Sequence, residues 1–372
     1  MKIVFLTRSL SYGGAERQLV TVARGLRERG HSVTVALFYS GGPLESELRE
    51  AGIMIQPLDK RGRWDVIAFL VRFIRFIGRE RPDVVYGYLS MPNIITQFVT
   101  LFFGRTRSVW GVRSSDKDMS CYDWLARISY RIECSLSRCA DLVIVNSQAG
   151  FRHAVAHGFP EERMIVIPNG IDTERFRPDG RARKRLRREW GINESEHLVG
   201  LVGRLDPVKD HHTFLKASSQ LAQEHNSLRF VCVGDGPADY RQSLIELSNE
   251  LGLAGRLKWV ASYDDMPTVY NALDILVSSS RSEGFPNVIG EAMSCGVPCV
   301  VTDVGDSASI VGDAGEVIRP QNSEELKAAI ENSLRRINAG ERQEIRIRQL
   351  ITERFSISKL VSHTETALQQ FH

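Results

Sequence analysis

Long hydrophobic runs are missing from this chain. No apolar stretch approaches the roughly 20 residues that a membrane-spanning helix requires, so a spanning helix is not expected. The opening Met1-Lys2-Ile3-Val4-Phe5-Leu6 reads as a short strand rather than a secretory leader, because its apolar run is brief and no small-residue cleavage site follows. Clustered ligands are missing too. The six cysteines (Cys121, Cys134, Cys139, Cys232, Cys295 and Cys299) form no C-x-x-C pair and share no metal spacing with histidine. That argues against a disulfide framework or a zinc site and for reduced thiols in a cytoplasmic protein. The nine histidines do not cluster, and His211-His212 reads as the cap of a helix. What is present is globular: 42% hydrophobic and 25% charged residues over 372 positions, a length that suits two domains.

The net charge of +3 conceals an asymmetry. Residues 1–190 hold 31 lysines and arginines against 20 aspartates and glutamates, whereas residues 191–372 hold 17 against 25. A first half with an excess of 11 positive charges favours an anionic partner or membrane surface. The basic run Arg181-Ala182-Arg183-Lys184-Arg185-Leu186-Arg187-Arg188 has no interleaved aromatics, so no nucleic-acid partner is expected.

Strand and helix patterns alternate along the first half. Strands are expected at 3–7, 33–38, 84–88, 142–146 and 164–167, and helices at 15–29, 64–79 and 148–157. The pattern breaks after Gly170, with the basic run at the junction, and then restarts. Strands follow at 197–202, 229–233, 257–260, 275–278 and 298–302, helices at 212–225, 239–251, 266–272 and 287–295, and a last helix at 358–370. Such alternation predicts an α/β protein with two doubly wound parallel sheets. The expected domains are 1–170 and 171–354, with a terminal helix in 355–372. Ligands of such sheets sit at the carboxyl ends of the strands, but the fold alone names no function.

Three segments carry chemistry. In Ser282-Glu283-Gly284-Phe285-Pro286-Asn287-Val288-Ile289-Gly290-Glu291-Ala292-Met293, two carboxylates stand eight positions apart. Proline and the residue before it disfavour helix, so a helix opens after Pro286. Its amino end offers free N–H groups and a positive dipole end to a phosphate. Glu283 then sits on the loop and Glu291 two turns into the helix, both near a bound anion. Gly203-Arg204-Leu205-Asp206-Pro207-Val208-Lys209-Asp210 follows an expected strand and supplies a planar fork and a point charge. Ser11-Tyr12-Gly13-Gly14-Ala15-Glu16-Arg17 places two glycines, which permit close backbone approach, before a helix.

Together these strings resemble the retaining glycosyltransferases of family 4, with their E-x7-E signature, G-R-L-x-x-x-K loop and G-G-A-E-R segment. The resemblance is best over 1–20 and about 140–320. It implies the GT-B fold, two Rossmann-like domains facing a cleft. It also implies a nucleotide diphosphate sugar as donor, most readily a UDP-sugar, with no metal or other cofactor. In that scheme Arg204 and Lys209 meet the diphosphate, Glu283 the hydroxyls of the transferred sugar, and Glu291 the ribose. The backbone N–H groups of Gly284, Phe285, Asn287 and Val288, around Pro286, lie near sugar and phosphate. Val260, Ala261 and Ser262 flank the base, and Gly14, with Gly13, approaches the donor phosphate. Arg204, Lys209 and Glu283 would carry catalysis, the two cations stabilising the leaving diphosphate.

The acceptor side is thinner. Ser108-Val109-Trp110-Gly111-Val112-Arg113-Ser114-Ser115-Asp116 occupies the segment in which many relatives hold a histidine, with Arg113 in its place. Arg113 and Asp116 are the acceptor-side candidates, and a loop salt bridge is the plainer account of them. Asp116-Lys117-Asp118 matches the metal-binding D-x-D pattern of the other main glycosyltransferase fold but lacks the strand end that pattern needs. Near Ser309 a glutamate common in the family is absent. The arginines of 64–81 and the apolar stretch 93–103 suit a helix packed on the sheet with a basic outer face, or contact with an anionic membrane. The expected acceptor is a glycan or lipid-linked sugar, with the protein cytoplasmic or peripheral on the inner face of the cell membrane. The rival readings are a nucleotide-sugar epimerase of the same build and a non-catalytic nucleotide-sugar or glycan binder.

Overall fold

The computed structural model describes residues 1–62, 64–113, 124–340 and 343–370. The chain divides into two compact units, Met1–Gly170 with Ile357–His372, and Ile171–Ser356.

The first unit runs β1 (Lys2–Thr7), α1 (Gly14–Glu28), β2 (Ser32–Leu37), α2 (Glu45–Glu50), β3 (Met54–Pro57), α3 (Val66–Glu80), β4 (Val84–Tyr88), α4 (Ser90–Thr100), β5 (Arg107–Val112), α5 (Trp124–Leu136), β6 (Leu142–Val145), α6 (Gln148–Ala156) and β7 (Met164–Val166). Its seven strands lie parallel in the order β3-β2-β1-β4-β5-β6-β7. The central strands are mainly apolar because both faces of the sheet are covered there. On β1, Ile3 and Phe5 pack with Leu19 and Val22 of α1, while Val4 and Leu6 pack on the other face with Phe69 and Phe73 of α3. Each such side chain contributes about 1.5–3 kcal/mol by its burial.

Helix α3 thus lies on the sheet through Phe69, Phe73, Phe76 and Ile77. Its expected basic outer face is only part of the outcome. Arg72 turns back to the Leu58 carbonyl (2.8 Å) and the Asp65 carboxylate (2.6 Å), and Ile67 and Val71 face solvent beside Trp64.

The second unit begins with α7 (Gly180–Trp190), where the sequence shows a charge run. It is a helix because Asp179 caps it, accepting from the N–H groups of Arg181 (2.9 Å) and Ala182 (3.0 Å), and because Ala182, Leu186 and Trp190 face inward. Then follow β8 (His197–Val202), α8 (His211–Glu224), β9 (Leu228–Val233), α9 (Ala238–Glu250), β10 (Leu257–Val260), α10 (Met266–Ala272), β11 (Ile275–Ser278), α11 (Asn287–Ser294), β12 (Cys299–Thr302), α12 (Ser307–Val311), β13 (Glu316–Ile318), α13 (Ser323–Asn338) and α14 (Glu344–Phe355). Six parallel strands are ordered β10-β9-β8-β11-β12-β13. On β8, Leu198 and Val202 serve one core, Val199 and Leu201 the other.

Two arginines of the basic run turn inward, Arg187 buried and Arg183 half-buried. The carboxylate of Asp274, just before β11, takes Arg183 at 2.6 Å, Arg187 at 2.9 Å and the Leu198 N–H at 2.7 Å. Phe355 closes α14 within the core of the second unit. The terminal helix α15 (Ile357–Gln369) then packs against α1, placing Leu360, Val361, Ala367 and Leu368 in the core of the first unit.

Candidate functional site

In the second unit the strand order reverses between β8 and β11. Loops leaving two such neighbours part to opposite faces, and the opening between them is where sheets of this class take ligands. Gly203 to Asp210 leave β8, and Ser279 to Pro286 leave β11. Close backbone contact shapes the first loop. Gly234 (φ 149°) lies so near it that a Cβ there would stand 2.0 Å from the Gly203 carbonyl oxygen.

The two loops are stitched together. Asp210 adopts a left-handed φ of 48° and is buried; its carboxylate takes Arg281 at 3.2 Å and the Thr213 hydroxyl at 2.7 Å. The Arg281 N–H donates to the Val208 carbonyl at 2.8 Å, and the Ser279 hydroxyl lies 3.0 Å from the carbonyl oxygens of Lys209 and Asp210. This framework sets Lys209 Nζ 2.5 Å from Glu283 Oε1, and the Ser280 hydroxyl donates to the same oxygen at 2.7 Å. Lys209 and Glu283 are 22% and 12% exposed, respectively, whereas Arg204 is 80% exposed and lies 3.5 Å from Asp206. A solvent-exposed cation thus shares its loop with one member of an enclosed cation–carboxylate pair.

Glu283 is also held from behind. The Asp306 N–H donates to the Gly284 carbonyl at 2.9 Å, and Gly305 has φ +59°, where a Cβ would fall 2.3 Å from the Glu283 carbonyl oxygen. Phe285 turns its ring into the core, edge-on to Phe355 at 5.3 Å. Pro286 precedes α11, whose first residues are Asn287 and Val288. Glu291 is its fifth residue, so it stands little more than one turn into the helix. The hydroxyl of Tyr270, buried in α10, donates to Glu291 Oε2 at 2.6 Å. Burial, then the Glu291 carboxylate, push the tyrosine pKa well up, so it remains a donor.

Val260 ends β10, its carbonyl accepting the Gly234 N–H at 3.0 Å, and after Ala261 the Ser262 N–H donates to Asp235 at 3.0 Å. That bond, with the Ser262 hydroxyl, lowers the Asp235 carboxyl pKa. His211, the first residue of α8, is buried with neither ring nitrogen hydrogen-bonded, and burial lowers its pKa to about 4. It is therefore an uncharged core residue rather than a solvent-facing cap.

In the first unit Gly13 precedes α1 and Gly14 opens it; both are exposed, and the Glu16 carboxylate folds over Gly13. Arg113 follows β5 directly. Among the described residues it has no ion pair. Its Nη2 donates to the Tyr86 hydroxyl (3.1 Å), its Nη1 to Asn169 Oδ1 (3.3 Å), and its guanidinium lies 4.5 Å over the Tyr88 ring. Asp116 and the Asp116-Lys117-Asp118 pattern lie outside the described residues.

Several supports were not legible in the sequence: Tyr270 behind Glu291, Ser280 behind Glu283, and the Asp210–Arg281 pair between the loops. Tyr270 lies 21 positions from Glu291 and Arg281 lies 71 from Asp210; Ser280 is only three from Glu283, but no spacing pattern marks it. Among the described residues, one group of potential metal ligands, Glu224, His225 and Glu331, has atoms within 4.8 Å of one another. It lies at the end of α8, just before the amino end of β9, and its carboxylates pair with Lys327.

Two helix-flanked parallel sheets, with charged loops at the switch point of the second, define the GT-B class of two Rossmann-like domains. Residues 12–175 match the family described as Glycosyltransferase Family 4, and residues 196–336 the family described as Glycosyl transferases group 1. The chain belongs to this glycosyltransferase family. It is 33% identical over 183 residues to a D-inositol 3-phosphate glycosyltransferase of Nocardia farcinica, a match covering 47% of this chain and 40% of that protein. A similar match to the Rhodococcus jostii protein of that name is 30% identical and covers 52% and 44%. Each match therefore spans less than half the length of these relatives. The structure of Anabaena HepE in complex with UDP superposes with a TM-score of 0.88 at 25% identity over 100% of both chains. The same protein with UDP-glucose gives 0.87.

Proposed function

We propose that this protein is a retaining glycosyltransferase that moves a sugar from a UDP-sugar to a hydroxyl of a glycan or lipid-linked acceptor. The observation that carries this reading is the Lys209–Glu283 pair at the switch point of the second sheet, with Arg204 on the same loop as Lys209. A cation for the diphosphate and a carboxylate for sugar hydroxyls stand within one sugar–phosphate unit of each other. The whole-length likeness to HepE, whose structures hold UDP and UDP-glucose, supports the donor class.

In the proposed step the bond from the sugar's anomeric carbon to the β-phosphate oxygen breaks, and the diphosphate leaves with the electron pair. Arg204 and Lys209 stabilise that charge. The acceptor oxygen bonds to the anomeric carbon on the same face, and its proton passes to the leaving phosphate oxygen. Glu283 holds the sugar, and Glu291, backed by Tyr270, holds the ribose. Val260, Ala261 and Ser262 flank the base. The backbone of Gly284, Phe285, Asn287 and Val288, together with Gly13 and Gly14, lines the donor. Arg113 serves the acceptor. No metal enters this scheme, because the two cations supply the charge. An epimerase or a non-catalytic binder would not use this pair of cations and carboxylates for transfer.

We place the protein in the cytoplasm, against an anionic membrane face. No helix among the described residues is long and apolar enough to cross a membrane. Trp64, Ile67, Phe98, Leu101 and Phe102 of the first unit are exposed among its excess of arginines. The five described cysteines are free.

Thermal shift against nucleoside diphosphates and their sugars, in EDTA, tests the donor reading, and a selective rise with UDP is expected. Glu291→Ala and Lys209→Ala should each lower donor kcat/KM roughly 10²-fold, as loss of a charge-assisted contact implies. Unchanged kinetics in both would refute the assignment. Liposome flotation at low salt without binding would remove the membrane.

A further inference from the structure

The guanidinium of Arg113 is charged and mostly enclosed, and its partners among the described residues are neutral groups. It stands at the carboxyl edge of the first sheet, directly after β5 and over Tyr88, the last residue of β4. Tyr86 and Tyr88 share one face of β4, and both rings are fully buried. Asn169, which accepts from Nη1, is buried, and the next residue is pinned: the Gln18 side chain donates to the Gly170 carbonyl at 2.8 Å and accepts its N–H at 2.9 Å. The guanidinium is thus preset by three elements, the end of β4, the end of β5 and the loop after β7.

Among the described residues no carboxylate lies within 4.0 Å of Arg113; its partners are a phenol, an amide and an aromatic face. Glu16 is felt electrostatically at Tyr88 but forms no ion pair with the arginine. The Arg113 Nε is buried and without a hydrogen-bond partner. Enclosed charges are ordinarily paired, because an unpaired one has lost its water without gaining a counter-charge. A guanidinium carries five N–H donors. Among the described residues Tyr86 and Asn169 take one bond each, from Nη2 and Nη1, so each terminal nitrogen retains a second N–H to offer an oxyanion.

We propose that Arg113 is an oxyanion-binding residue that selects a sugar acceptor bearing a phosphate or carboxylate. This rests on the glycosyltransferase reading and on the first unit's role as acceptor side. The fork completes its counter-charge on the acceptor's anionic group, while Tyr86, Tyr88 and Asn169 fix its direction. Neutral sugars of the same size leave the arginine uncompensated.

The test is a ligand-observed NMR titration of the full chain, saturated with UDP, against glucose, glucose 6-phosphate and glucuronate. At least one anionic sugar should bind about tenfold or more tightly than glucose, as one charge-assisted fork implies. A response to glucose 6-phosphate alone names a phosphate, and one to glucuronate alone a carboxylate. Arg113→Gln should remove the preference for the anion without changing glucose binding. Equal binding of all three sugars by the wild-type protein, or no binding of any, overturns the proposal even if Arg113→Gln fails to fold. So does an anion preference that survives in a folded Arg113→Gln protein. UDP binding by the wild-type protein is measured beside it. If UDP binds and the anion preference is absent, the arginine's role alone fails; if UDP does not bind, the donor reading fails.

Discussion

Replacing Glu283 by glutamine should change donor binding and turnover in opposite directions. Lys209 Nζ lies 2.5 Å from Glu283 Oε1, and both side chains are largely enclosed. Without ligand, the carboxylate and an incoming diphosphate compete for one ammonium group. A hydrogen bond to a charged group is worth about 1.5–3 kcal/mol and a neutral one about 0.5–1.5. Glu283→Gln keeps the shape but weakens the hold on Lys209 by roughly 1–1.5 kcal/mol. The freed cation should bind UDP about five- to tenfold more tightly, since 1.4 kcal/mol is a factor of ten. The same change removes the carboxylate that orients the sugar hydroxyls, so turnover of a UDP-sugar should fall roughly 10²-fold. Isothermal titration with UDP measures the first effect and release of UDP from the sugar nucleotide the second, with the melting temperature confirming the fold. UDP affinity that stays level or falls in the variant would refute the competition.

Asp274→Ala should cost about 3–5 kcal/mol in urea unfolding, because it leaves Arg187, nearly buried, without its counter-charge and also frees Arg183; a loss under 1 kcal/mol would show α7 to be held by its apolar face alone. His211 has a folded pKa of about 4, below its ordinary value of about 6.5. Its neutral burial therefore stabilises fully above pH ~6.5, and that stability is lost as pH falls toward 4, at up to roughly 1.4 kcal/mol per pH unit. His211→Leu should flatten this part of the stability–pH curve, and an unchanged slope would assign the acid loss elsewhere. Gly305→Ala combines a left-handed φ of +59° with a Cβ 2.3 Å from the Glu283 carbonyl oxygen. It should lower stability by about 1–3 kcal/mol and reduce turnover by displacing Glu283; wild-type values of both would exclude the clamp.

The strands were legible where both faces are covered, because an unbroken apolar run such as that of β8 or β11 is itself the signature of a buried parallel strand. Helices with one apolar stripe, such as α1, were equally plain. Strand β5 was not, since Gly111 and polar Ser108 interrupt its pattern; Gly111 packs against the Gly87 carbonyl, where a Cβ would lie only 3.1 Å away. Helix α7 was hidden by its charges, because a sequence shows arginines without the aspartate 87 to 91 positions away that pairs with two of them. The loop carbonyls that take Arg72 are equally non-local. At the site, the motif residues could be named from their strings. The groups that aim them, Tyr270, Ser280 and the Asp210–Arg281 pair, could not.

The loop after β12 approaches Glu283 mainly through its peptide groups. One N–H, from Asp306, reaches the Gly284 carbonyl, and one missing Cβ, at Gly305, permits the approach. A support made of main chain makes little demand on exposed Ser309, whereas Asp306 and Ser307 beside it are buried. Over evolutionary time, Ser309 is free to change while the turn at Gly305 is not.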